Sequence, residues 1–148
     1  MNRFRKIVTV VTSLLAINFA SAQDDVQISF DKLPQKAQDF IKTHYAVADI
    51  ASVWKDMEFL KVDDYTTVFN DGTKIEFYPN GDWKEVKSGG TTIPTKIIPS
   101  SIEQYISKNY PNKAIKDIKK KRYGYEVELV GGLELEFNSK GKFVRIDD

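Results

Sequence analysis

Four glutamates stand at alternate positions on either side of a glycine pair in YEVELVGGLELEF, residues 125–137: Glu126, Glu128, Glu134 and Glu136. Carboxylates set in pairs suit two kinds of chemistry, acid–base work at a glycosidic bond and coordination of a hard cation. The first needs a pocket that separates two pKa values, and carboxylates on an open strand surface have none, so the spacing predicts no catalytic pair. Asp56, Asp63, Asp64, Asp71 and Asp82 add oxygen donors of the kind calcium takes, but the EF-hand spacing is absent and the NDG at 70–72 and PNGD at 79–82 are common hairpin turns. His44 is the single histidine and there is no cysteine, which leaves no ligand set for zinc and no Cys–His nucleophile. No G-x-S-x-G elbow activates a serine. Ser100 and Ser101 read instead as first-turn helix residues placed to help with unpaired amides. What remains is recognition, with Trp54, Met57 and Tyr78 as candidate surface contacts, because Trp and Tyr dominate interface hot spots.

The elements that would position these residues occur twice. Tyr65 to Val86, YTTVFNDGTKIEFYPNGDWKEV, returns as Tyr125 to Ile146, YEVELVGGLELEFNSKGKFVRI, 60 positions on. Upstream, LPQKAQDFIKTHY places Ala37, Phe40, Ile41 and Tyr45 at helical spacing, with Pro34 suited to a first helical position. The same unit returns 65 positions later as IPSSIEQYISKNYP, where Pro111 ends the helix. The difference between the two offsets means that the second copy lacks five residues between the positions of Val53 and Tyr65. Each copy therefore predicts a helix, a first strand (48–55 and 114–121) and three further strands. Residues 23–32 add a brief alternation at Val26, Ile28 and Phe30 that suits an extended lead-in or edge strand, and 88–96, SGGTTIPTK, is a linker. The predicted fold is α+β, a tandem repeat of a helix plus a four-stranded antiparallel meander over 23–88 and 89–148. The two units form one curved sheet of about eight strands with both helices on one face.

Hairpin register follows from alternation. For Tyr125, Val127 and Leu129 to share a face with Leu133, Leu135 and Phe137, Leu129 must pair with Leu133 across a Val130-Gly131-Gly132 loop, and Phe69 with Thr73 across Asn70-Asp71-Gly72. This predicts a core containing Tyr65, Phe69, Ile75, Phe77, Tyr125, Leu129, Leu135 and Phe137. The displayed set becomes Thr66, Val68, Lys74, Glu76 and Tyr78 beside the four glutamates. Glu128 then faces Glu134 and Glu126 faces Glu136, an unfavourable arrangement that something must offset. Three candidates stand open: Lys116, Lys119, Lys121, Lys142 and Arg145 of flanking strands, a bound cation, or a basic partner surface. Trp83 and Val86, like Phe143 and Ile146, are three apart, so each last strand needs a β-bulge to bury both.

Arg3, Arg5 and Lys6, the apolar run from Ile7 to Phe19 and Ala20-Ser21-Ala22 form a secretory signal over 1–22, too short in its apolar part to cross a bilayer. Cleavage before Gln23 releases a chain with no membrane insertion, for a periplasmic or secreted location. Without the three basic residues of the signal, 19 basic side chains face 21 acidic ones, a balance that excludes a nucleic-acid binder.

The stretches LPQKAQDFIKTHY, DGTKIEFYPNGDWKEV, IPSSIEQYISKNYP and GGLELEFNSKGKFVRI resemble the PepSY-like family of exported bacterial proteins, whose fold is similar to that of the beta-lactamase inhibitory protein. The resemblance covers nearly all of 23–148 and rests on core, turn and helix-start residues. It implies an open sheet face in front of the helices, a location in the envelope of Bacteroides-type bacteria, and no enzymatic activity. It also implies a binding or inhibitory role toward a protein partner, a hydrolase or protease, with a calcium-linked role as the alternative and no other cofactor. It transfers no functional residue. Partner binding is therefore assigned, from register alone, to Glu126, Glu128, Glu134, Glu136, Lys74, Glu76, Tyr78 and Trp54.

Overall fold

A computed structural model describes residues 25–90 and 92–147; the predicted signal segment lies outside the described residues. In chain order the elements are β1 (Val26–Ile28), α1 (Gln35–His44), β2 (Ile50–Glu58), β3 (Lys61–Phe69), β4 (Lys74–Phe77), β5 (Trp83–Lys87), α2 (Ser100–Asn109), β6 (Ile115–Lys121), β7 (Gly124–Leu129), β8 (Glu134–Asn138) and β9 (Phe143–Asp147). The strands form one open sheet in sequence order, every neighbouring pair antiparallel. The ninth strand is the lead-in: Val26–Ile28 pairs with Val53–Lys55 and adds an edge to the eight expected. The halves join where β5 meets β6, through Glu85–Lys119, Val86–Ile118 and Lys87–Asp117.

Both helices start one residue later than the sequence suggests. Pro34 has an extended ψ of 145° and so sits at the N-cap, its carbonyl accepting the amide of Gln38, and Pro99 does the same for α2. The serines do not cap: Ser101 Oγ donates to the Lys140 carbonyl at 3.3 Å, tying the start of α2 to the β8–β9 turn. The first strands also shift, because 47–49 forms a turn of 3₁₀-helix and β2 runs on to Glu58.

Both hairpin registers are as expected. The Leu129 amide donates to Leu133 and the Phe69 amide to Thr73, and Glu126–Glu136, Glu128–Glu134 and Thr66–Glu76 lie directly opposite. The two predicted bulges are present at equivalent places, where one step from Glu76 to Phe77 spans Glu85 to Trp83, and one from Glu136 to Phe137 spans Arg145 to Phe143. The helix-bearing face carries a continuous apolar row through Val53, Thr67, Ile75, Val86, Ile118, Val127 and Leu135. Phe40 of α1 meets Phe77 edge-on at 5.7 Å, and Tyr105 of α2 meets Phe137 at 5.5 Å and stacks on Phe143 at 4.7 Å. Fully buried Ile41 and Ile102 anchor the helices, each contributing about 1.5–3 kcal/mol of burial. Five expected core positions fall short, Trp83 and Phe143 of the last strands being half-buried. Tyr65 and Tyr125 are only half-buried, and Ile146 remains 44% exposed because β9 is an edge with nothing packed beyond it.

A charged surface on the helix-free face

Because each strand pairs with the next, side chains of the helix-free face line up in rows across the whole sheet between the bulges. One row reads Gln27, Trp54, Thr66, Glu76, Glu85, Lys119, Glu126, Glu136, Arg145. The next reads Ser52, Val68, Lys74, Lys87, then Asp117, Glu128, Glu134, Asp147. Equivalent strands thus present two neutral and two basic groups in the first half and four consecutive carboxylates in the second. The two halves share one scaffold and carry opposite charge along this row.

Repulsion between facing glutamates is offset by flanking cations. Arg145 grips Glu136 through two hydrogen bonds of 2.8 and 3.0 Å, Lys116 reaches Glu128 at 2.8 Å, and Lys119 and Lys121 reach Glu126 at 3.6 and 3.2 Å. Four of the five basic residues expected to do this are used; Lys142 forms no ion pair among the described residues. Glu134 is exposed and likewise has none. The Arg145 guanidinium, outweighing the opposing effect of burial, holds the Glu136 carboxyl below the usual range. Glu126, Glu136 and Asp147 are the one group of three carboxylates among the described residues whose oxygens lie within 4.8 Å of one another, and Arg145 already bridges Glu136 and Asp147.

Asp117 departs from this pattern. It is 4% exposed, Lys87 Nζ lies 4.0 Å from one of its oxygens, and the other has no hydrogen-bond partner. Burial first and the neighbouring Glu85 second push its carboxyl up to about 7. It lines, with Lys119, Glu126, Glu128 and Glu134, a cavity of about 10 Å³, the room of one water molecule.

In the first half, β2 and β3 enclose an open groove of about 450 Å³ lined by Asp25, Trp54, Asp56, Asp63, Asp64, Thr66, Lys74 and Glu76. A bulge in β3 at Asp63, where Asp56–Asp64 is followed by Met57–Val62, brings two consecutive aspartates to this side. Asp56 is pushed up to about 7, by burial first and then by the adjoining Asp64, and it accepts the Thr66 hydroxyl at 3.1 Å. Burial acts to raise Asp64, but the hydrogen bond from Asp56 and the Lys84 ammonium at 2.6 Å outweigh it and hold the carboxyl low. Lys84 is the bulge residue of β5; the bulge turns it to the same face as Glu85, within 3.6 Å of Glu76. Raised carboxyls thus exist on this surface, against the expectation that an open strand face has none. The causes are burial first and a neighbouring carboxyl second, Asp64 beside Asp56 and Glu85 beside Asp117.

Of the predicted contact residues, Glu126, Glu128, Glu134, Glu136, Lys74, Glu76 and Trp54 lie together on the helix-free face. Trp54 is on the surface rather than in the core, its indole N–H donating to Ser52 Oγ at 2.9 Å. Tyr78 sits at the sheet's end, with its hydroxyl donating to the Lys120 carbonyl at 3.2 Å. Two of the five calcium-like aspartates serve turns: Asp71 accepts the Thr73 amide, and Asp82 accepts the Asn80 side-chain amide at 2.8 Å. His44 packs on Phe40 at 4.7 Å at the end of α1, as a helix-end residue. Asp117, Asp147, Lys84 and Asp25 were missed. Alternation along β6 and the bulge already placed in β5 carried the signal for Asp117 and Lys84.

An open antiparallel sheet in two helix-backed halves, with a charged free face, defines a class of α+β domain. The sequence profile of a family described as "Putative beta-lactamase-inhibitor-like, PepSY-like" matches residues 21–63 and 63–145, and the chain belongs to that family. Among solved structures, one described as a "putative periplasmic protein" of the DUF2874 family from Bacteroides vulgatus is 33% identical, with TM-score 0.78 over 86% of this chain and 99% of that one. A "putative calcium-regulated periplasmic protein" from Bacteroides thetaiotaomicron is 36% identical, with the same TM-score and the same coverage. A third, a "putative periplasmic protein of unknown function" from Bacteroides vulgatus, is 30% identical with TM-score 0.77 over 84% and 99%. These relatives place the chain in the periplasm. No curated protein matches it.

Proposed function

We propose that this protein is a non-enzymatic periplasmic binding protein that recognises a protein partner through the helix-free face, with inhibition or regulation of a hydrolase or protease as the outcome. The observation that carries this reading is the row Asp117, Glu128, Glu134, Asp147, four carboxylates directly opposite one another across β6 to β9. Like charges at directly opposed positions oppose folding by roughly 0.2–1 kcal/mol each. Three of the four have a cation from a flanking position, and exposed Glu134 is left to meet a basic partner. Against a catalytic role, Asp64 and Glu76 of the groove are engaged by Lys84 and Lys74, and Asp56 by Thr66.

The test is partner capture from an envelope extract by the wild-type chain beside a Glu126→Lys/Glu128→Lys/Glu134→Lys/Glu136→Lys variant of equal fold. Loss of specific partners from the variant is expected, and identical partner sets would refute the reading. A calcium-responsive role is a second reading, supported by the aspartates gathered at the groove and by the description of the Bacteroides thetaiotaomicron relative. Calorimetry with calcium chloride tests it directly, and absence of both heat and a thermal shift would dispose of it.

A further inference from the structure

The five residues that distinguish the first half from the second all lie in one place. β1 pairs with Val53–Lys55 only and β4 with Tyr65–Val68 only, so among the described residues the part of the β2–β3 hairpin from Asp56 to Asp64 has no strand on either side. It stands out from the sheet as a free two-stranded ribbon. In the other half β7 is paired with β8 up to Gly124–Asn138, and the β6–β7 turn at Arg122-Tyr123 barely projects.

The tip of the ribbon is a two-residue turn between Glu58 and Lys61, made of Phe59 and Leu60. Both have positive φ, 46° and 66°, the conformation for which a hairpin turn of this length strongly prefers Asn-Gly. Phe59 is 88% and Leu60 96% exposed. Two large apolar side chains therefore stand in water at positions that local backbone preference would give to small polar residues. Neither burial nor turn chemistry within the chain accounts for them. Backbone held in a disfavoured region at an exposed tip is a recurring mark of a recognition element.

The surroundings state the partner's chemistry. On the helix-free side the ribbon carries Asp56, Glu58, Asp63 and Asp64 against Lys61, and it leads into the acidic groove. Such flanks are repelled by an anionic lipid surface and suit a cationic rim. We propose that Phe59 and Leu60 form an apolar anchor that inserts into an apolar pocket, ringed by Lys or Arg, on a protein partner. This rests on the reading that the helix-free face binds protein, and names the element that enters the partner.

The test uses p-benzoylphenylalanine in place of Phe59 in the exported chain, irradiated in the intact envelope, with cross-linked peptides mapped by mass spectrometry. The partner so identified is then titrated with wild type, with Phe59→Asn/Leu60→Gly and with the four-glutamate variant above. The tip variant supplies the residues the turn prefers, so its thermal midpoint should match or exceed that of wild type. The expected result is a cross-link to a protein at an apolar pocket with basic residues at its mouth, and at least a tenfold loss of affinity for the tip variant, the affinity of wild type falling with added salt. Cross-links to lipid, to a second copy of this chain or to nothing overturn the anchor, as does unchanged affinity of the tip variant. Should the tip variant bind normally while the four-glutamate variant does not, the anchor fails and the face reading survives. Should both bind normally, both fail.

Discussion

At the scale of single residues, the two halves act as internal controls for each other. Thr67 is fully buried in the apolar row with its hydroxyl unpartnered, and Val127 occupies the equivalent site in the other half. Thr67→Val removes an unsatisfied buried hydroxyl while keeping shape, and should stabilise the chain by about 1 kcal/mol, read from urea denaturation. Asp117 yields a prediction in pH. Its folded carboxyl is raised to about 7 from an ordinary 3.8, so between those values the folded chain holds more protons than the unfolded one. Its contribution is therefore fully present below pH ~4 and is lost as pH rises through about 7. Asp117→Asn should weaken the pH dependence, leaving the share of Asp56, and stabilise the chain at pH 8 by about 1 kcal/mol, while changing little at pH 4. Thermal unfolding across that range checks it, and an unchanged profile would show that Asp117 is not the titrating group. Neither residue was legible as a problem in the sequence, because an orphaned hydroxyl or oxygen is defined by neighbours from three different strands.

At the scale of elements, the two meander turns show how a repeated motif can serve a repeated contact. Gly81 and Gly141 both have positive φ, 86° and 70°. A Cβ at Gly81 would sit 2.8 Å from Pro34 Cβ, and one at Gly141 would overlap Ser101 Oγ, so each turn is packed under the start of its helix. Gly132 shares the positive φ of 86° but would meet nothing within 4 Å. Gly81→Ala and Gly141→Ala should each cost more than Gly132→Ala. Backbone strain of about 1–3 kcal/mol is common to all three, and the helix clash falls only on the first two. Urea midpoints of the three variants check the ordering. The sequence marked these glycines as turn residues from their place between strands, but that a helix rests on two of them is a tertiary fact. The bulges were legible for a related reason: an apolar pair three apart cannot share a face on a regular strand, so the misfit itself was written in the residue order.

At the scale of the whole molecule, the β5–β6 seam makes two repeats one body. Val86 and Ile118 are fully buried against each other's strands in the middle of the sheet, so a chain ending at Ser88 exposes Val86 along an edge strand that has lost its β6 partner. Residues 23–88 alone should show no cooperative unfolding transition, checked by circular dichroism against the full chain; a cooperative melt would mean that the halves fold independently. The sequence by itself determined the helix and hairpin positions, the registers and the facing glutamates, because each follows from alternation and turn chemistry within about 25 neighbouring residues. Only the tertiary structure decided the order of all nine strands and the join between halves. That join sets Lys87 opposite Asp117, so that the basic pair Lys74–Lys87 runs on into the four-carboxylate row. The physical reason is range: pairing within a hairpin is fixed by a turn, whereas pairing between distant strands is fixed by which apolar faces the helices can cover together. The surface charge pattern is a by-product of that second choice.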